Sequence, residues 1–279
     1  MKEYFDDISF KTSRLVTQKY STSFATAVKL LSPSIRQDIY NIYGFVRLAD
    51  EIVDSFQGFG QAELFSRLKD DVQACLEAGI STNPILNSFQ HTVKKHAIAR
   101  EHIDAFLLSM EKDLTQQSYT SINDYKKYIY GSADVVGLMC LTVFVNGDKQ
   151  NFETLKKYAM HLGSAFQKIN FLRDLKQDYE ILNRSYFPNV NLAQLDEKDK
   201  AAIIVEIEED LMQGYLGILQ LPIEAKLGVY VAYVYYKKLL YKLNETPSAK
   251  IMQTRIRVSD YQKFGLFAKC YFDCKLNLI

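Results

Sequence analysis

Cysteine is too scarce to hold this chain together. Cys75, Cys140, Cys270 and Cys274 are scattered through 279 residues, which excludes a disulfide framework at this size. Cys270 and Cys274 are spaced to share a helix face, but no second ligand pair completes a zinc site, so all four read as free thiols. The histidines, His91, His96, His102 and His161, form no H-E-x-x-H pair and lie near no Ser or Cys nucleophile motif. Neither G-x-G-x-x-G nor G-x-x-x-x-G-K-[ST] occurs, so no glycine loop is available to cradle phosphate. Charge of one sign is also missing: the net charge is +1, without the basic excess of a general nucleic-acid binder. Long apolar runs are absent as well. Val135–Val145, broken by Gly137 and Thr142, falls far short of the ~20 residues a membrane span requires. The opening MKEYFDDISF carries acids and no apolar core of signal-peptide length. The expectation is a cytoplasmic protein, leaning at most on the inner face of a membrane.

What remains is ordinary globular composition, 48% hydrophobic and 24% charged. Its apolar residues recur with a period near 3.6, without convincing strand alternation. Helices are expected at 4–17, 21–31, 33–55, 61–78, 84–98, 101–116, 121–145, up to 182, 198–219, 222–244 and 248–275. Pro33 after Ser32 marks one start. Ser121 with Asp124 resembles a capping box. Asn146-Gly147-Asp148 marks a stop. Residues 183–197 contain Pro188, lack the helical period and read as a loop able to close over a cleft. No internal repeat or linker divides the chain, so a single all-α domain over 1–279 is expected.

Two stretches carry the chemistry. In GSAFQKINFLRDLKQDY, residues 163–179, helical spacing puts Gln167, Asn170, Asp174 and Asp178 on one side. Phe166, Ile169, Leu172 and Tyr179 fall on a stripe fit for burial. In YGFVRLADEIVDSF, residues 43–56, Asp50 and Asp54 share a face, with Arg47 one turn earlier and Glu51 beside them. Magnesium takes oxygen ligands and is commonly held by one or two carboxylates plus substrate phosphates. A guanidinium grips the same phosphates as a fork. Acidic pairs four apart are also frequent on solvated faces, and Glu206 and Asp210 form another such pair. The two selected pairs differ in their apolar surroundings and in having an arginine within one turn. Tyr230, Tyr233, Tyr235 and Tyr236 read as core or cavity wall, or as aromatic faces near a carbocation. Arg255 and Arg257 either bound an anionic pocket or belong to a solvated basic surface.

The segments YSTSF (20–24), YGFVRLADEIVD (43–54), YIYGSADVVG (128–137) and LGSAFQKINFLRDLKQDYEILNRSYFP (162–188) resemble the squalene/phytoene synthase family in order and spacing. The resemblance spans nearly the whole chain and implies an isoprenoid synthase helical bundle around a central cavity. It also implies a reaction. One prenyl diphosphate ionises to an allylic cation, a second attacks it to give a cyclopropyl diphosphate, and a second ionisation and rearrangement yield a linear hydrocarbon. By position, Asp50, Asp54, Asp174 and Asp178 would hold Mg²⁺, or Mn²⁺ in its place, with Asn170 and Gln167 beside them. Ser21, Ser23, Phe24, Arg47, Tyr128, Arg173, Tyr236 and Arg255 would contact diphosphate or steady the cation, and Arg184 and Tyr186 would sit on the closing loop. The third and fourth segments look closest to the bacterial phytoene branch, implying geranylgeranyl diphosphate as substrate and a role in carotenoid biosynthesis. Alternatives are squalene or dehydrosqualene formation from farnesyl diphosphate, a class I terpene cyclase, and a non-catalytic scaffold of the same fold. Partners implied are the prenyl diphosphates and a membrane surface for product release, with no nucleic acid. Where the family usually has glycine, this chain has Asp134, which either adds a fifth carboxylate to the cleft or points elsewhere. The basic cluster that often follows Arg255 is thinned to Asp260-Tyr261-Gln262-Lys263.

Overall fold

The computed structural model describes residues 1–116, 118–119, 121–180, 182, 184–188, 190 and 195–276, apart from the side chain at 275. In order the helices are α1 (Lys2–Tyr20), α2 (Thr22–Lys29), α3 (Pro33–Ser55), α4 (Gln61–Ala78), α5 (Pro84–His96), α6 (Arg100–Lys112) and α7 (Ile122–Ile129). A π-helical turn over Tyr130–Asp134 leads into α8 (Val135–Phe144). α9 (Lys149–Glu180), α10 (Glu197–Gln220), α11 (Ile223–Glu245), α12 (Ser248–Ile251) and α13 (Asp260–Lys275) complete the chain. Among the described residues there is no strand, only an isolated bridge between Ser118 and Ser185. This is an all-α fold.

The local signals account for most of the boundaries. Pro33 opens α3, where its missing N–H costs nothing, although the Ser32 side chain makes no cap to the backbone. The Ser121 hydroxyl caps α7 by accepting the Asp124 N–H at 3.0 Å. Asn146 and Gly147 take the left-handed φ values of 50° and 76° that end α8.

Three elements differ from the sequence expectation, and each difference bears on the cavity. The helix expected over 121–145 is interrupted by the π-helical turn, whose extra residue re-aims the side chains that follow. Gly163 permits this arrangement: a Cβ there would lie 2.8 Å from the Ala133 carbonyl oxygen of the turn. α6 stops at Lys112 rather than 116, leaving Asp113 at the helix end instead of on a helix face. The helix expected over 248–275 is two, because residues 252–259 run between α12 and α13 without helical structure. Ser259 then opens α13 with a reciprocal capping box to Gln262, a signal present in the sequence. Of the loop expected at 183–197, residues 183, 189 and 191–194 lie outside the described residues.

Two apolar clusters build the interior. One is centred on α9, α10 and α11, and the other on α3, α4, α5 and α6. α3 buries Ile35, Ile39, Ile42, Phe45, Ala49, Ile52 and Val53, a helical stripe that turns Arg47, Asp50 and Asp54 the other way. α9 does the same with Ile169, Leu172 and Leu175. Of the stripe expected there, Tyr179, in the last turn of α9, is instead 38% exposed, and Phe166 faces the cavity against Tyr236. Among the described residues no helix is long and apolar enough to cross a membrane.

Candidate active site

A cavity of about 690 Å³ opens between the two clusters, walled by α2, α3, α6, α8, α9, α10 and α11. Its deep wall is apolar, formed by residues such as Val28, Ile39, Phe106, Met110, Val136, Leu141, Leu155 and Ile218. Its mouth is charged. Asp50 and Asp54 enter from α3, and Asn170, Asp174 and Asp178 enter from α9. The two acidic faces, 124 residues apart between Asp50 and Asp174, meet because each helix buries its opposite stripe in a different cluster.

Each acid except one has a cation beside it. Arg47 pairs with Asp50 and Glu51, and its guanidinium lies 4.3 Å from the Tyr20 ring centre. Arg173 and Arg255 both engage Asp174, Arg255 through Nε at 2.8 Å. Arg184 donates to Asp54 at 2.5 Å and to the carbonyl oxygens of Val53 and Asp113 at 3.1 and 3.0 Å, while its backbone N–H donates to the Asp178 carbonyl at 2.8 Å. One residue thereby ties the ends of both acidic helices. Asp178 has no ion pair among the described residues. Burial, then Asp174 and Asp54 across the cleft, push its carboxyl up to about 8. Burial and the adjacent Asp54 likewise push Asp50 up to about 7.

This donor set fits a divalent cation. Carboxylates from two helices raise one another's proton affinity, the condition that a bound cation relieves. Among the described residues no three acids converge closely enough to cage an ion unaided. Magnesium generally fills its shell with water and phosphate around one or two carboxylates, so an open mouth suits an ion that arrives with a diphosphate.

Aromatic faces line the region between mouth and deep wall. Phe171 stacks on Tyr186 at 3.9 Å, Tyr186 on Tyr128 at 5.4 Å, and Phe24 on Tyr43 at 5.0 Å. Phe166 stacks on Tyr236 at 4.0 Å, and the Tyr236 hydroxyl donates to Asn170 Oδ1 at 3.3 Å. Of the residues singled out in the sequence, Ser21, Phe24, Arg47, Tyr128, Gln167, Asn170, Arg173, Arg184, Tyr186, Tyr236 and Arg255 line the cavity, as do the four aspartates. Ser23 does not. It lies one residue beyond Thr22 in the first turn of α2, whose wall-facing side is taken by Ser21, Phe24, Ala27 and Val28. Arg184 and Tyr186 are already buried within the wall, at 6% and 5% exposure, rather than held away on an open loop. Tyr230 and Tyr233 belong to the core, where Tyr230 donates to Asp273.

Asp134 is off the cavity wall. It sits behind α9 in the field of Asp210 and Lys168, and burial pushes it up to about 7. Of the Glu206–Asp210 pair only Glu206 is exposed. Asp210 is 8% exposed and accepts from His161, Ser164 and Lys168, while Lys168 also pairs with Glu206. A buried lysine already neutralises that acidic pair, which makes it structural.

One wall residue was missed altogether. Asp113, 8% exposed, accepts the Tyr128 hydroxyl at 2.8 Å through Oδ2, while its buried Oδ1 has no hydrogen-bond partner among the described residues. Burial pushes it up to about 7, against the lowering pull of Arg184 and Tyr128. No periodic spacing marks it, because α6 ends one residue earlier.

Residues 17–262 match the family model described as squalene/phytoene synthase. A phytoene synthase of Pseudescherichia vulneris is 32% identical over 181 residues, covering 60% of this chain and 56% of that protein. A 15-cis-phytoene synthase of Paracoccus sp. is 27% identical over 269 residues, covering 93% of this chain and 82% of that protein. In fold, a ligand-bound dehydrosqualene synthase superposes with a TM-score of 0.83 at 19% identity, over 97% of this chain and 98% of that one. A squalene synthase of Alicyclobacillus acidocaldarius gives 0.73 at 19% identity, over 85% and 93%. The chain belongs to the squalene/phytoene synthase family, whose members are prenyl-group transferases.

Proposed function

We propose that this protein joins two geranylgeranyl diphosphates head to head, by way of a cyclopropyl diphosphate, to give phytoene for carotenoid synthesis. The observation that carries the reading is the meeting of two acidic, arginine-flanked helix faces at the mouth of an otherwise apolar cavity. The choice of a twenty-carbon substrate is supported by the names of the relatives covering 93% and 88% of this chain, both 15-cis-phytoene synthases.

Asp50, Asp54, Asp174 and Asp178 would hold Mg²⁺, with Asn170 and Gln167 as neutral oxygen donors beside them. When bound, the metal supplies positive charge to the departing diphosphate. Arg47, Arg173, Arg184 and Arg255 receive diphosphate oxygens as they exchange their carboxylate partners for the substrate. Ser21 at the α2 N-terminus adds a hydroxyl at the same mouth. Stabilisation is then concentrated where charge develops. The prenyl chains occupy the apolar depth, which keeps water from the allylic and cyclopropylcarbinyl cations. Phe24, Tyr128, Phe171, Tyr186 and Tyr236 present ring faces to those cations. Asp113 accepts the Tyr128 hydroxyl and so fixes its rotation, leaving the phenol oxygen rather than its proton to face the reacting carbons. The product is a hydrocarbon with no polar group, so its release calls for peripheral contact with a membrane.

The test is a product assay. The purified protein with Mg²⁺ and geranylgeranyl diphosphate, without NADPH, yields phytoene. Consumption of farnesyl diphosphate alone moves the assignment to squalene or dehydrosqualene formation. A folded protein that turns over neither is a scaffold, a reading disfavoured by the presence of all four carboxylates on the wall.

A further inference from the structure

The helix α13 is apolar on two opposite sides, where an ordinary surface helix is apolar on one. α13 packs antiparallel on α11: Tyr230 bonds Asp273 near one end, and Lys242 bonds Gln262 near the other. Leu266, Phe267 and the fully buried Cys270 make the packed side. The opposite side presents Tyr261, Phe264, Phe272 and Leu276, exposed by 91%, 76%, 61% and 67%. Gly265 and Ala268 lie between them, so helical spacing joins these residues into one apolar stripe. Lys269 stands beside it, whereas Lys263, 17% exposed and paired with Asp260, belongs to the packed side. Isolated exposed apolar residues are normal on a protein surface, whereas a contiguous aromatic stripe marks a binding surface.

Charge selects the occupant. Residues 223–276 contain ten Lys and Arg against four Asp and Glu, a net +6, whereas the whole chain is +1; the remainder is therefore −5. α13 itself carries only +1, so repulsion between two copies paired through it comes from the +5 on residues 223–259 behind it. An anionic lipid surface is complementary to the same segment, and exposed aromatic residues bordered by a lysine suit a helix that lies in the headgroup layer. The stripe also begins six residues after Arg255, which reaches Asp174 at the cavity mouth, so a bilayer docked there is close to the exit.

We propose that α13 docks the protein on an anionic bilayer, with Tyr261, Phe264, Phe272 and Leu276 inserted among the headgroups and Lys269 at the phosphate level. The preference for a bilayer over a protein partner rests in part on the proposed function, whose product is soluble only in lipid. The test needs no substrate, so its result is separate from the product assay. The full chain is floated with vesicles of phosphatidylglycerol and phosphatidylcholine, and with vesicles of phosphatidylcholine alone. It co-floats with the anionic vesicles and is released by high salt. The double variant Phe264→Ser/Phe272→Ser weakens binding by about tenfold or more, with helical content unchanged. Lys269→Glu, which leaves the apolar stripe intact, weakens binding to anionic vesicles and not to neutral ones. Equal flotation of all three proteins, or equal flotation on both vesicle types, overturns the proposal. So does a dimer in light scattering that the double variant converts to monomer, since the stripe would then bind a second copy.

Discussion

Replacing Asp113 by asparagine should make the protein more stable and less active, and the stability gain should depend on pH. The carboxyl is 8% exposed and is raised from 3.8 to about 7 in the folded state. The folded protein therefore binds the proton more tightly than the unfolded chain does. The stability this contributes is complete below 3.8 and is lost as pH rises through 7. A shift of roughly three units corresponds to about 4 kcal/mol of charge burial at about pH 8.5, and to about half that at about pH 5.5. Asparagine removes this cost and offers the Tyr128 hydroxyl a neutral acceptor, as the protonated carboxyl does, at a loss of about 1 kcal/mol. The net expectation is a gain of about 1 kcal/mol at about pH 5.5 and of about 3 kcal/mol at about pH 8.5, the latter a Tm rise of roughly 6–12 °C. Calorimetric melts of both proteins across this range, with product formation measured in parallel, decide the matter. Turnover should fall, because Tyr128 loses its charged partner. A variant with an equal or lower Tm at the alkaline end, or two Tm curves running parallel with pH, refutes the account of Asp113 as a buried acid only partly compensated by Arg184 and Tyr128.

Asp50→Asn and Asp174→Asn should each lower turnover by roughly a hundredfold or more while circular dichroism stays unchanged; retained product formation by either would count against the electrostatic mechanism. Mg²⁺ together with inorganic pyrophosphate should raise the Tm by several degrees and EDTA should reverse it, because the ligands bind only where both acidic faces are assembled. Gly163→Ala should destabilise by about 1–3 kcal/mol, even though alanine is the better helix former, because its Cβ would lie 2.8 Å from the Ala133 carbonyl oxygen. A lowered Tm in denaturation scans is the expected reading, and an unchanged or raised one would show that the α9–π-turn contact accommodates a methyl group.

The all-α class, the main helix starts and both acidic faces were legible because they rest on spacing, and helical spacing is a property of the chain alone. Ile169 and Leu172, three apart, are both fully buried, while Asp174 and Asp178, four apart, both face the cavity. Spacing could not separate that pair from Glu206 and Asp210, since a lysine from another helix neutralises the latter. Nor could it place Ser23, which shares the YSTSF segment with Ser21 but not its side of the helix.

The order of residues thus determined which groups travel together on each helix: the acids with their arginines on one side, the apolar stripe on another. Tertiary structure alone decided which of these faces enclose a shared space. Asp113 joins the wall only because α6 ends at Lys112, and Arg255 reaches Asp174 only because the chain leaves helix between α12 and α13. The pKa shifts belong to this second level as well. Proton affinity at Asp178 depends on Asp54, 124 residues earlier, and on burial by helices whose sequences carry no mark of that contact.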